Sequence, residues 1–392
     1  MSTHKNIKLL TWFNFCLDFR IYSAIAVLYF AEVTGSFALA LAVFSIGKIA
    51  SALLEVPTGV LSDLIGRKTT IVLGQIGSIF AIVYYAIGGS FIFLAIGAIL
   101  EGLAHSFFSG NNSALLYDSL KEEGKEEQYS EYEGKTSSMF QVALAISALV
   151  GSITLGFESF QFLFWLSVVP QVVGLILAFQ IIEPRTHYNK IDTNIFNHFK
   201  EALKNFKKNA KLRTLSLAQI FGHGIGESMH QFSPAFLVTL WPAWAVALVR
   251  VLNHVFAAIG YRVSGALIRK FGELRVLMWG KSTNFMVSTV IIAYPTVLTP
   301  LINSLTAFGF GAGVVAQSSL VQKEFSNEQR ATMGSLTSLA RSLFFGIASV
   351  ALGLWADKVG PTYALLTGQL LLALPIFLYW QLFKNNKTNL TT

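Results

Sequence analysis

Runs of about 20 predominantly apolar residues recur from one end of this chain to the other, separated by short breaks that carry Gly, Pro or charge. At a rise of about 1.5 Å per helical residue, each run is long enough to cross the hydrocarbon core of a bilayer. Only 13% of the residues are charged, where an ordinary soluble domain carries about 25%, so a water-soluble fold could not cover itself. The chain is therefore predicted to be an all-α polytopic membrane protein. Its twelve transmembrane helices are placed at residues 7–33, 37–64, 69–89, 91–118, 136–157, 160–182, 213–240, 243–270, 275–296, 298–322, 331–355 and 362–383. The first run is too long for a signal-peptide core, lacks a small-residue cleavage site and contains Asp18 and Arg20, so it counts as a span. The single cysteine, Cys16, excludes an internal disulfide and reads as a packed thiol.

Charge then sets orientation. With both termini cytoplasmic, the inner loops collect Arg67, Lys68, Lys121, Lys125, Lys135, most of the 183–213 segment, Arg269, Lys270, Arg275, Lys323, Arg330, Lys384 and Lys387. The outer loops keep essentially Lys358 alone. This is the asymmetry of a multi-pass protein of the inner (plasma) membrane. It also accounts for the net charge of +8 without any nucleic-acid partner; the bilayer and its anionic inner leaflet are the partners expected.

The only long polar segment divides the chain into a six-helix half at 1–182, a cytoplasmic central loop at 183–212 and a second six-helix half at 213–392. Within the loop, Ile195, Phe199, Leu203 and Phe206 recur near helical spacing among lysines, the pattern of an amphipathic surface helix or of a solvated linker. The halves echo each other. The stretch from Gly59 to Arg67 at the end of span two matches the stretch from Gly265 to Glu273 at the end of span eight, keeping both glycines while inverting the charge. Parallel six-helix repeats of this kind suit a transporter with a cavity at the bilayer midplane.

The motif itself, Gly59, Asp63, Gly66, Arg67 and Lys68 in GVLSDLIGRK, resembles the cytoplasmic loop signature of the major facilitator superfamily. Physically, Gly59 would let another helix approach closely, Gly66 would support the turn, and Asp63 would sit near a helix N-terminus, expected at the start of span eleven. The resemblance covers nearly the whole chain and implies twelve helices that alternate access by rocking one half against the other. It also implies that the motif's arginine meets an acid at the cytoplasmic end of span four, for which Asp118 is the match. The arginine that many members carry within span four is replaced here by Glu101 and His105, and the proline of the fifth-span antiporter signature is missing.

Ionisable residues near mid-span cost at least about 2.5–3.5 kcal/mol on insertion scales and so mark cavities or partners. Asp18, Glu101 and Glu227 are the candidates for carrying a coupling proton; Arg20, Lys48, His223, His230, Arg250 and Arg341 are candidates for lining a substrate cavity. Asp18 and Arg20, two apart, should not pair with each other, so each needs another neighbour. His223, Glu227 and His230 fall on one helical face, but HExxH and a second ligand cluster are both absent, so no metal is expected. Gly222, Gly224 and Gly226 should permit a bend or a close approach there. No nucleotide-binding loop or hydrolase constellation occurs, and neither cofactor nor enzymatic activity is expected. The expectation is a monomeric secondary transporter for protons and a small-molecule substrate. Proton-coupled export of a partly apolar compound leads over proton-coupled uptake of an anionic nutrient, with a receptor or an intramembrane metalloenzyme behind both.

Overall fold

The computed structural model describes residues 2–122, 124–184, 209–323 and 330–388. Among them there is helix and no strand. The expected amphipathic helix in the central loop lies outside the described residues. Among the described residues ten helical segments are long and apolar enough to cross a membrane. The other two expected spans are a long helix too polar to count and a first span that is broken.

The break is the main correction to the sequence reading. Instead of one helix over 7–33, the chain forms α1 (Ser2–Asp18), a turn, and α2 (Ala26–Thr34). An interrupted helix leaves backbone donors and acceptors that lipid cannot satisfy, so side chains must do it. They come from α8 (Phe160–Gln180). Gln171 Nε2 donates to the carbonyls of Cys16 at 2.8 Å and Leu17 at 3.2 Å, and Ser167 Oγ accepts from the Ile21 amide at 3.0 Å. Gln171 is in turn held by Gln75 Nε2, which donates to its side-chain and backbone oxygens at 2.9 Å each. Gly151, on α7 (Tyr129–Leu155), makes room, since a Cβ there would lie 2.6 Å from the Ile21 carbonyl oxygen.

Between these come α3 (Phe37–Ile65), α4 (Arg67–Ile87), α5 (Phe91–Phe108) and α6 (Asn111–Lys121). Beyond the central loop lie α9 (Ala210–Leu237), α10 (Ala243–Phe271), α11 (Glu273–Ala293), α12 (Thr299–Lys323) and α13 (Arg330–Val359). The last expected span is also interrupted, into α14 (Pro361–Leu371) and α15 (Ala373–Thr388). Pro375 is the cause we assign, because it has no N–H to return to the Leu371 carbonyl. By contrast α9 runs unbroken through its three glycines. Gly224 serves as a close-approach point there: a Cβ would sit 2.4 Å from the Phe344 ring.

The chain clusters into two compact units. Unit 1 comprises Met1–Gly35, Ile46–Lys190 and Ala243–Val251; unit 2 comprises Ser36–Ser45, Ile191–Pro242 and Leu252–Thr392. In unit 1, α5 crosses α3 at small residues, where a Cβ on Gly102 would meet the Gly47 carbonyl oxygen at 2.5 Å. The close crossing of α3 in unit 1 is here; at Gly59 no atom of the described residues lies within 4 Å of where a Cβ would stand. A core of Leu10, Phe13, Ile71, Leu115 and Leu120 joins α1, α4 and α6. In unit 2, Gly353 lets α13 press against the backbone of Ala38. That approach brings Asp357, one turn later, onto the first turn of α3, where its carboxylate accepts from Ser36 Oγ at 2.6 Å and from the Phe37 and Ala38 amides at 2.7 and 3.2 Å. Asp357 is thus an N-terminal cap, the placement a helix dipole favours.

Candidate functional site

Two sites in unit 1 gather the residues singled out by the sequence. The first grows from the broken span. With α1 ending at Asp18, residue 20 leaves the helical path, and Arg20 extends to α5. There it forms an ion pair with Glu101, while Arg20 Nε donates to the Leu17 carbonyl at 3.2 Å. Tyr85 Oη donates to the other Glu101 oxygen at 2.7 Å. Tyr85 is fully buried among Tyr22, Phe30 and Phe164, so the Glu101 carboxylate is held from two sides. Glu101 thus accepts from an arginine supplied by the first span.

Asp18 is arranged differently. It makes no side-chain hydrogen bond or ion pair among the described residues, and it lines an open cavity of about 400 Å³ bordered by α1, α5, α6 and α7. Arg20, His105, Asn112, Glu133 and Phe140 share the lining. The His105 ring meets Ser51 Oγ at 3.0 Å through Nδ1, and Glu133 accepts from Ser113 Oγ at 3.0 Å.

The second site is the loop motif. Gly66 adopts φ +92°, a conformation that favours glycine, and a Cβ there would also meet the Glu183 carboxylate at 3.2 Å. Arg67 Nε donates to Asp118 Oδ2 at 2.7 Å, with both side chains largely buried. Ser62 Oγ donates at 2.5 Å to Asn111 Oδ1, which also receives Arg67 Nη1 at 3.5 Å. The Glu183 carboxylate caps α4, accepting from the Arg67 and Lys68 amides at 2.8 and 2.6 Å. Sequence reasoning passed over Glu183; its signal was an acid standing at the head of a basic segment. Asp63 is exposed and makes no hydrogen bond within its unit among the described residues. Arg67→Asp and Asp118→Arg should each lower the melting temperature of the purified protein, and the charge-swapped double variant should recover part of the loss. The coupling expected is about 0.5–3 kcal/mol; strictly additive losses would show that the contact carries no energy.

The remaining candidates lie on other elements. Lys48 is exposed on α3 and Arg250 is buried on α10, both in unit 1. In unit 2, His223 and His230 are exposed, and Glu227 is half-buried and accepts from Gln231 Nε2 at 2.9 Å. Arg341, also in unit 2, is half-buried, and no acceptor for its Nε is present among the described residues. Lys281, half-buried in α11, escaped the sequence reading although it is an isolated cation inside an apolar run. Among the described residues no group of three or more His, Cys, Asp or Glu is placed to hold a metal ion.

Ten helical segments among the described residues have the length and composition to cross a membrane, and unit 1 carries a cavity lined by Asp18, Arg20, His105 and Glu133. Residues 9–348 match the family model of the Major Facilitator Superfamily, and the chain belongs to that family. An uncharacterized MFS-type transporter of Methanocaldococcus jannaschii is 19% identical over 331 residues, 81% of this chain and 82% of that one. An uncharacterized transporter of Buchnera aphidicola is 29% identical over 163 residues, 40% of this chain and 35% of that relative's length. Among solved structures, the nucleoside transporter NupG superposes with a TM-score of 0.85 at 13% identity, covering 98% of this chain and 100% of that one. A bacterial homologue of the iron transporter ferroportin gives 0.74 at 16% identity, covering 96% and 98%. At these identities the likeness establishes the fold.

Proposed function

We propose that this membrane transporter is a proton-coupled secondary carrier that exports a small, partly apolar solute by alternating access. It sits in the inner membrane with both termini cytoplasmic, an orientation supported by the charge asymmetry of the loops. The observation that carries the reading is the state of the two first-half acids. Glu101 is engaged by Arg20 and Tyr85, whereas Asp18 stands at a helix break, without a side-chain partner among the described residues, on the cavity wall. A carboxylate that carries protons must change its protonation state without breaking the fold, and Asp18 meets that condition better than Glu101. Discontinuous helices are where secondary transporters place their coupling and substrate sites. The loop motif serves as a cytoplasmic latch in this reading, with the Arg67–Asp118 pair favouring the state closed on that side.

The test is transport by the purified protein in proteoliposomes under an imposed pH gradient, with a library of small solutes. The wild type should couple solute flux to the gradient. Asp18→Asn should abolish gradient-driven accumulation of the solute. Unchanged gradient-driven flux in Asp18→Asn would remove Asp18 from the proton pathway, and flux driven inward by the gradient would replace export with uptake.

A further inference from the structure

The hydrogen-bonding balance of the unit 1 cavity goes further, and it rests on the transporter reading for its role. The cavity's principal donor groups are already engaged. Arg20 directs Nη1 to Glu101 and Nε to the Leu17 carbonyl, and Asn112 Nδ2 donates to Asn14 Oδ1 at 3.0 Å. Its acceptors are in surplus. Asn112 Oδ1 is buried with no hydrogen-bond donor among the described residues, Asp18 has none for its carboxylate, and Glu133 adds a second acid to the same wall. The positive charge of Arg20 is offset by Glu101, so Asp18 is left on the lining without a paired cation among the described residues. The C-terminal end of α1, which closes at Asp18, adds the partial negative charge of a helix terminus.

Buried acceptors without donors cost about 1–3 kcal/mol each until something supplies the missing N–H. A cavity of about 400 Å³ falls within the range of small-solute sites. The rings of Phe108 and Phe140 supply an apolar wall, suited to an alkyl chain or to the face of a cation. We infer that this cavity is a binding site for an organic cation, a primary amine or diamine on a short alkyl body. The ammonium group sits between Asp18 and Asn112 Oδ1, and the chain lies along Phe108 and Phe140. An anionic solute would meet Asp18 and Glu133 with like charge and leave the Asn112 acceptor unsatisfied.

Purified full-length protein in detergent is titrated with the diamine putrescine, its neutral counterpart butanediol and its anionic counterpart succinate, with calorimetry and thermal stabilisation as readouts. Putrescine should bind and raise the melting temperature, whereas butanediol and succinate should not. Asp18→Asn should weaken putrescine binding about tenfold or more, the loss of a charge-assisted contact. Asp18→Glu should retain most of the affinity, and Asn112→Leu should weaken it by less than Asp18→Asn. Should Asp18→Asn not fold, Asn112→Leu and Asp18→Glu decide the matter alone. Preferred binding of succinate, no response to putrescine or to a series of alkyl monoamines, or affinity unchanged by both the Asp18 and Asn112 variants would each overturn the inference. Failure of the transport reading is distinguishable: amine binding without exchange in proteoliposomes removes transport and leaves the site, whereas exchange of acids or sugars without amine binding does the reverse.

Discussion

Glu101→Ala should be among the most destabilising single changes in unit 1, because it strands Arg20 inside a helical bundle. Breaking a buried pair by removing one member costs about 3–5 kcal/mol, chiefly the penalty of the charge left behind. The Arg20 and Glu101 side chains keep 20% and 30% of their accessible surface, so the lower end of that range is the expectation. Tyr85 adds to the loss, since its hydroxyl surrenders the Glu101 acceptor within a packed aromatic cluster. Removing both charges together, as Arg20→Met with Glu101→Leu, should cost less than Glu101→Ala alone, because no unpaired charge remains. Melting temperatures of the purified variants check this. A double variant less stable than Glu101→Ala would mean that the pair stabilises through its own attraction. Glu101→Gln, which keeps shape and hydrogen-bonding capacity, should fall between wild type and Glu101→Ala.

Gln171→Leu is expected to have an effect of similar size through a different cause. Gln171 supplies donors to the Cys16 and Leu17 carbonyls and accepts from Gln75 Nε2 and Ser78 Oγ, the latter at 3.2 Å. Leucine fills the volume and satisfies none of them. Each buried group so abandoned costs about 1–3 kcal/mol, and the membrane interior offers no water in compensation. The first span cannot escape by closing into a regular helix, because Arg20 is anchored to Glu101 and the Ile21 amide to Ser167. We expect Gln171→Leu to lower the melting temperature markedly and to weaken amine binding at Asp18, which sits at the end of the helix that Gln171 terminates. Gln171→Glu separates the roles, as it keeps acceptors for Gln75 and Ser78 but withdraws the donor to the carbonyls. If Gln171→Leu proves as stable as the wild type, the break is held by other contacts.

These expectations depend on features of unequal visibility in the sequence. Apolar run length and loop charge bias act locally, residue by residue against the bilayer, so the helical class and the spans were legible without neighbours. The Gly66-Arg67 turn was legible too, because glycine's backbone freedom is a property of the residue itself, and the φ of +92° follows it. Asp118 was found through family resemblance, and the structure places it 2.7 Å from Arg67. Arg20 and Asp18 do not pair, but Arg20 lies beyond the end of α1, so the helical spacing is not the reason, and which residue each meets was not legible.

What only the tertiary structure decided are the outcomes that depend on residues distant in sequence. Nothing local in residues 7–33 forbids a continuous helix; the break is stable because Gln171, Ser167 and Glu101 satisfy it from two other helices. Glu183 and Asp357 are single acids whose role as caps depends on which helix start lies beside them. The sequence offers Arg20 and Lys48 for a cavity lining and Asp18 for proton coupling, and only the pairing of Arg20 with Glu101 leaves Asp18 on the wall without a paired cation among the described residues. The sequence by itself determined the solvent this chain folds in and the segments that cross it. Which of its costly mid-membrane charges neutralise one another, and which remain available for a ligand, was decided by packing, because an ion pair is a property of two positions.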